Sequence, residues 1–229
     1  CVNEPDCTGR TPIHLCLMIE DIDILEKFLN FEESDFEIKE YYDRSCQDLV
    51  IKVVHKYEIY LHSAVRTRRI SYILKLMKLG LSFGVQDNLG RTPLHEASEV
   101  GRVEIVKLLL ENSLQNSLQE SLNLQDFNGR TALHCAADQG HCEVVKLLAK
   151  NRGMNLNAKD NHLRTALHFA VYRKRIDVIE ILLQYGADFN IMDSRGAIPF
   201  AIICSYCPID FYKKVQSVWN QVGDGGEVK

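Results

Sequence analysis

The segment Gly90-Arg91-Thr92-Pro93-Leu94-His95 decides the fold, because it recurs along the chain. Close copies end at His14, His134 and His168, and looser copies end at His62 and Ala201. Measured between these end positions, the spacings are 48, 33, 39, 34 and 33 residues. They indicate a 33-residue structural unit with insertions of 15, 6 and 1 residues, and a period of this size is typical of stacked repeat proteins.

Each unit also predicts its own local structure. Thr92 is a good helix N-cap, and Pro93 then occupies the first helical position, where a missing N–H costs nothing. Gly101 and Gly140 mark the turn after this short helix, because glycine adopts the left-handed conformation readily. A second helix follows, with apolar residues at helical spacing, namely Val103, Val106, Leu109 and Leu110.

Three stretches carry a family resemblance: Thr92–His95, Glu104–Leu110 and Gly186–Asn190. Together they resemble the ankyrin repeat, and the resemblance covers nearly the whole chain. It implies an all-α solenoid of about six stacked helix-turn-helix repeats with β-hairpin fingers. No unit of this kind buries its apolar face alone, so neighbouring units supply the core.

We expect a single ankyrin-repeat domain over residues 1–229, with an insertion within 31–54 and a disordered tail at 223–229. The predicted repeats are 6–38, 54–86, 87–125, 126–159, 160–192 and 193–222. Residues 113–121 are predicted to lengthen one loop, and Arg68 and Lys174 replace the turn glycine. The chain begins inside a finger, so we expect it to be a piece of a longer protein with a repeat upstream.

Composition narrows the class of protein. The formal net charge of −4 disfavours direct binding of nucleic acid, which needs a basic face. No apolar run reaches the length of a membrane span. The chain has eight cysteines and enough apolar residues for its own core, so we interpret them as reduced thiols of a cytosolic or nuclear protein. We expect a monomer.

The sequence predicts no enzyme activity, no metal site and no cofactor. Five of the eight histidines occupy the repeated motif and are therefore spaced along the stack. The resemblance implies that each bonds the neighbouring backbone and the motif threonine. Cys204 and Cys207 form an isolated C-x-x-C pair, whereas structural zinc needs four ligands. No phosphate-binding loop, nucleophile elbow or metalloprotease motif occurs.

Two sets of side chains are left without a core role: the finger tips and the last residues of each first helix. The resemblance implies that these positions line the concave face by which ankyrin proteins bind partners. Aromatic and arginine side chains dominate interface energies, so Phe127, Tyr172 and Arg173 are the strongest candidates. The full candidate set is Asn88, Leu89, Glu99, Val100, Phe127, Asn128, Asp138, Gln139, Asn161, His162, Tyr172 and Arg173.

Two further features stay open at this level. The basic clusters at 66–69 and 173–175 either contact an acidic partner or are solvated turns. Residues 182–190 resemble the ankyrin segment that asparaginyl hydroxylases modify, with Asn190 as acceptor and Asn157 as a weaker match. This modification is expected only if the protein meets a eukaryotic cytosol.

The sequence therefore predicts a module that binds a partner protein for recruitment, scaffolding or sequestration. One alternative is the substrate-recognition region of a larger enzyme or effector. Another is a regulatory segment of a channel or of a transcription inhibitor. In both alternatives the activity resides outside this chain.

Overall fold

The computed structural model describes residues 61–62, 64–67, 70–71, 73–74, 84–115, 122–206 and 209–224. Contacts divide the chain into the units Cys1–Tyr60 and Leu61–Lys229, and everything described belongs to the second unit. The first repeat, the insertion at 31–54, Arg68, Arg69 and Cys207 lie outside the described residues. The predicted boundaries of the repeats therefore stay predictions.

Eight helices form four successive pairs within the described range 84–224. The first helices of the pairs are α1 Pro93–Val100, α3 Ala132–Gln139, α5 Ala166–Tyr172 and α7 Pro199–Tyr206. The second helices are α2 Val103–Gln115, α4 Cys142–Lys150, α6 Ile176–Gln184 and α8 Ile209–Asp224. The pairs fall in the predicted third, fourth, fifth and sixth repeats.

The pairs stack so that like helices are neighbours. First helices contact first helices (α1 with α3, α3 with α5, α5 with α7), and second helices contact second helices (α2 with α4, α4 with α6, α6 with α8). Small side chains such as Ala97, Ala136 and Ala170 are fully buried in the first-helix row, which lets the helices pack closely. The second helices bury larger residues, among them Val145, Leu148 and Leu182. The described chain is thus the all-α stack that the repeat predicts.

A buried histidine joins each of the third, fourth and fifth repeats to the repeat that follows it. The Thr92 N–H donates to Nδ1 of His95 over 3.1 Å, and Thr92 Oγ1 lies 2.8 Å from the same nitrogen. Because Nδ1 accepts, the ring proton belongs on Nε2, which donates to the Arg130 carbonyl of the following repeat over 2.8 Å. The ring therefore caps its own helix and bonds its neighbour, as the resemblance implies.

His134 and His168 repeat this arrangement in the next two joints. Their Nε2 atoms lie 3.0 Å from the Arg164 carbonyl and 3.2 Å from the Ala197 carbonyl. Burial lowers the pKa of His134 to about 4 and also lowers the pKa of His168 and of His95. Each imidazole is therefore neutral at pH 7, as its acceptor role at Nδ1 requires.

Each finger in the described residues is a hydrogen-bonded turn without an assigned strand, so the β-hairpins that the resemblance implies are not confirmed there. In the third repeat the Asp87 N–H donates to the Arg91 carbonyl, and the Gly90 N–H donates to the Asp87 carbonyl, both over 2.8 Å. Oδ1 of Asp87 also accepts the N–H groups of Leu89 and Arg91. One aspartate therefore organises the turn, which is too short for a strand ladder.

Two predicted boundaries differ from the structure. Helix α2 continues to Gln115, so residues 113–115 of the predicted loop are helical. Helix α8 ends at Asp224, two residues inside the predicted tail at 223–229. Both differences lie at helix C-termini, where a boundary is the least certain feature to predict from a sequence.

The buried histidines predict a pH dependence of stability. In the unfolded chain the pKa of His95, His134 and His168 is near 6.5, whereas in the folded chain it is lower. The unfolded state then binds more protons, so stability should fall as the pH drops from about 6.5 towards about 4.5, above the range of most carboxylates. Urea unfolding midpoints across this range measure the effect.

His162 provides the matched control because it is exposed on a finger tip. His162→Gln should keep the same pH profile as the unmodified chain. A midpoint that stays constant or rises between these pH values would contradict the neutral-histidine joint.

Candidate functional site

The finger tips form a continuous hydrogen-bonded row. The Phe127 N–H donates to the Leu89 carbonyl over 3.0 Å, which joins the third finger to the fourth. The Asn161 N–H donates to the Asn128 carbonyl over 3.0 Å in the next joint. The Ser194 N–H then donates to the His162 carbonyl over 2.9 Å. The tips are held in register by backbone bonds, and Leu89, Phe127 and His162 still expose their side chains.

The third and fourth finger tips each approach the following tip closely because each has a glycine, which lacks a Cβ, at the point of contact. A Cβ on Gly90 would lie 2.6 Å from Cδ1 of Phe127, so the phenylalanine ring rests on the preceding tip. A Cβ on Gly129 would lie 2.6 Å from the Asn161 backbone nitrogen. Behind the tips, Gln125 Nε2 donates to the Gly129 carbonyl and to the Lys159 carbonyl, both over 2.8 Å. Backbone and amide groups thus fix the spacing of successive fingers.

Ion pairs connect the fingers to the ends of the first helices. Arg91 in the third finger lies 3.2 Å from Glu99 near the end of α1. Arg173, just after α5, donates to Asp138 of α3 over 2.6 Å and 3.3 Å. The finger tips and the first-helix ends therefore form one surface, which we call the finger face. It comprises residues 88–90, 99–100, 127–129, 138–139, 161–163, 172–174 and 194–196.

A hydrogen bond between tyrosine and aspartate adds a contact at the fifth repeat. The Tyr172 O–H donates to Oδ2 of Asp193 over 3.2 Å, which ties the end of α5 to the sixth finger. Burial raises the pKa of Tyr172, and the bond to Asp193 raises it further, so the phenol stays protonated as a donor. Tyr172 nevertheless remains 41% exposed.

The structure places the predicted partner-binding residues on this one face. Phe127 is 71% exposed and Leu89 is 56% exposed, which is high for such apolar side chains. Val100, Asn128, Gln139, His162 and Arg173 are also exposed. Glu99 and Asp138 are half-buried because each accepts an arginine. Exposure makes these residues available, and their role in binding stays a prediction.

The sequence did not predict every feature of the face. It did not predict that the Phe127 ring packs on Gly90, a contact between residues of different repeats. It did not select Leu163 or Arg195, both exposed on finger tips. Leu163 could have been found, because it stands where the equivalent tips have glycine.

The cysteines and acidic groups show no metal chemistry in the described part of the chain. Cys135, Cys142 and Cys204 are free thiols, and burial raises the pKa of Cys135 to about 12. Across the described residues, His, Cys, Asp and Glu side chains do not gather into a group that could hold a metal ion. The helices described here include none that is both long and apolar enough to cross a membrane.

The candidate hydroxylation site differs from its counterparts in earlier repeats. Oδ1 of Asn123 accepts the Asn155 N–H, and Oδ1 of Asn157 accepts the Asp188 N–H, both over 2.8 Å. Each of these amides is therefore used by the following repeat. Asn190 occupies the same position relative to its finger aspartate and is exposed.

Comparison with known proteins gives a consistent family match. A family model described as ankyrin repeats (3 copies) matches residues 38–120 and 113–193. The chain is similar to a probable 26S proteasome regulatory subunit p28 of Saccharomyces cerevisiae, with 26% identity over 46% of this chain and 40% of that protein. It is also similar to the putative ankyrin repeat protein FPV219 of Fowlpox virus, with 31% identity over 31% of this chain and 17% of that protein. The matches span less than half the length of either relative.

The finger row predicts unequal effects of two glycine substitutions. Gly129→Ala and Gly196→Ala both place a Cβ at positive φ, which costs about 1 kcal/mol. Only at Gly129 does the new Cβ meet the next finger, whereas nothing lies within 4 Å at Gly196. Gly129→Ala should therefore lower the free energy of unfolding by a further ~1–3 kcal/mol in urea titrations. Equal losses for the two variants would contradict the close packing of the tips.

Proposed function

The chain belongs to the ankyrin-repeat family, whose repeats generally serve as protein–protein interaction modules, and we propose that it binds a partner protein through the finger face. The observation that carries the proposal is a continuous row of tips that exposes Leu89 and Phe127 beside the exposed ends of the first helices. Large apolar side chains in water on a rigid frame are typical of an interaction surface.

The chemistry of the face supports recognition over catalysis. The aspartates behind the face are occupied inside the fingers, since Asp160 accepts Arg164 over 2.6 Å and Asp193 accepts Tyr172. The motif histidines behind the face are buried between repeats, and burial keeps His134 neutral. The face presents aromatic, aliphatic, amide and arginine groups, which provide affinity and specificity in interfaces. The family is typically non-enzymatic, and we propose no activity for this chain.

The yeast relative favours one form of this function. Its name describes a regulatory subunit of the 26S proteasome, and we extend this to the chain as recruitment of a partner into a complex. The alternatives of a substrate-recognition region in a larger enzyme or effector, or of a regulatory segment, use the same face. We further propose a monomeric protein of the cytosol or nucleus that does not contact nucleic acid directly.

Replacing Tyr172 and Arg173 by alanine tests the face. The double variant should weaken binding of a captured partner by ~2 kcal/mol or more, because aromatic and arginine side chains act as anchors. The Arg173 side chain is 59% exposed in its pair with Asp138, so its loss should cost at most about 1 kcal/mol of stability. Affinity capture from cell extract with the full chain identifies the partner, and titration then gives the affinity.

A variant on the opposite row provides the control. Glu143 and Lys146 of α4 form an exposed pair 3.7 Å apart, away from the fingers. The Glu143→Ala/Lys146→Ala variant should retain the partner. Adding Phe127→Ala to the Tyr172/Arg173 variant should abolish capture. Equal affinity of the unmodified chain and the Tyr172/Arg173 variant would refute the placement.

We also propose Asn190 as a hydroxylation site. The chain expressed in eukaryotic cells that contain an asparaginyl hydroxylase should gain the mass of one oxygen atom. Fragmentation should place the oxygen on Asn190 and leave Asn157 unmodified, because the Asn157 amide already accepts a backbone N–H. An unmodified intact mass, or modification at Asn157 alone, would contradict the assignment.

A further inference from the structure

The described residues contain two non-glycine residues with positive φ: Leu163 at 59° and Lys174 at 57°. Both belong to the fifth repeat. Leu163 stands at the finger position that Gly90, Gly129 and Gly196 occupy in the other repeats. Lys174 stands at the turn position that Gly101 and Gly140 occupy. All five of those glycines also have positive φ, so the fifth repeat keeps the shared backbone without the residue that suits it.

Neither side chain gains an evident structural benefit. A residue with a Cβ is disfavoured in the left-handed conformation, so each replacement stores strain. Leu163 remains 47% exposed, and Lys174 is also exposed. Backbone strain that burial does not compensate is concentrated at functional sites in proteins.

The two residues lie at opposite ends of α5, on the finger face. Leu163 is on the fifth tip, next to His162, whose carbonyl accepts the Ser194 N–H. Lys174 follows Tyr172 and Arg173. Since the seven residues of α5 lie between them and span roughly 10 Å, an extended peptide of several residues is needed to reach both.

The fifth repeat and its finger neighbour carry an excess of exposed cations. Between residues 159 and 196 the exposed basic residues are Lys159, Arg173, Lys174, Arg175 and Arg195, and the exposed acidic residues are Asp177 and Asp188. The remaining aspartates of this stretch, Asp160 and Asp193, are buried and organise their fingers. Of the cations, Arg173 is bound to Asp138, yet most of its side chain stays exposed.

We propose that the fifth repeat determines the specificity of the finger face, with Leu163 as an apolar contact and Lys174 as a cationic contact for an acidic segment of a partner protein. This inference rests on the proposed function. The segment carries carboxylates that meet Lys174, Arg173 and Arg195, and an apolar side chain that covers Leu163. The strained backbone holds the two contacts in fixed positions, which lowers the entropy lost on binding.

A substitution to glycine separates the effect of these two positions on stability from their effect on binding. Leu163→Gly and Lys174→Gly restore the residue found at the equivalent places and relieve the strain, so neither variant should unfold more readily than the unmodified chain. Each should nevertheless weaken binding by about tenfold or more, the size expected for loss of an anchor. Gly186→Ala is the control: it introduces strain after α6, outside the finger face, where nothing lies within 4 Å, and should lower stability without changing affinity.

Peptides selected on the unmodified full chain from a phage-displayed library of short random sequences serve as the probe. The expected peptides contain Asp or Glu together with an apolar residue, and fluorescence anisotropy of the labelled peptides should show the losses stated above. The inference is overturned if no peptide is selected or if the selected peptides lack acidic residues. It is also overturned if both glycine variants bind them within twofold of the unmodified chain, or if a single-stranded oligonucleotide binds as tightly as they do.

The same assay distinguishes this inference from the proposed function. If the Phe127/Tyr172/Arg173 alanine variant loses the peptides while both glycine variants keep them, the finger face stands and the role of the fifth repeat fails. If the alanine variant also keeps them, the peptides bind elsewhere and both proposals fail.

Discussion

His95, His134 and His168 each belong to two repeats at once, and the rest of the described stack depends on that sharing. In the third repeat the imidazole of His95 accepts the Thr92 N–H and donates to the Arg130 carbonyl. Only a neutral ring with its proton on Nε2 makes both bonds, and burial keeps the ring neutral. The interaction caps a helix and sets the distance to the next repeat, so local and long-range order come from one side chain.

Different side chains hold the fold together and form the surface, so the surface can vary while the fold is kept. The bridging histidines His95, His134 and His168, the motif threonines before them and the finger aspartates Asp126, Asp160 and Asp193 are buried, and their hydrogen bonds are made within the stack. The residues between them, such as Leu89, Phe127 and His162 on the tips, contribute carbonyls and N–H groups to the frame while their side chains face water. Since the backbone carries the register, the side chains of the face are free to serve recognition.

The sequence predicted the frame well because its signals are local and repeated. Thr92, Pro93 and Gly101 define the start and end of α1 by the chemistry of helix caps, and the same pattern defines α3. It predicted less of the face, because contacts between fingers join residues more than thirty positions apart. The ring of Phe127 rests on Gly90, and that contact follows only from the stacking distance. The hairpins implied by the resemblance are not confirmed in the described residues, where an aspartate closes each finger turn.

Departures from the repeat carried information that the pattern alone did not interpret. Lys174 was recognisable as a substitute for glycine, and the structure places it at positive φ as the position requires. Leu163 also replaces a glycine, the first residue of Gly90-Arg91-Thr92, and its φ is positive as well. Backbone conformation distinguishes a harmless exchange from a strained one, and only the three-dimensional structure provides it.

Photo-crosslinking from a single tip residue tests the central claim most directly. A benzoylphenylalanine at position 127 replaces an aromatic ring that is 71% exposed on the finger face. The same group at position 146 lies on the exposed side of α4. With a captured partner, the account predicts a covalent adduct from position 127 and none from position 146. An adduct from position 146 alone would show that the partner binds the second-helix row, and the finger face would lose its proposed role.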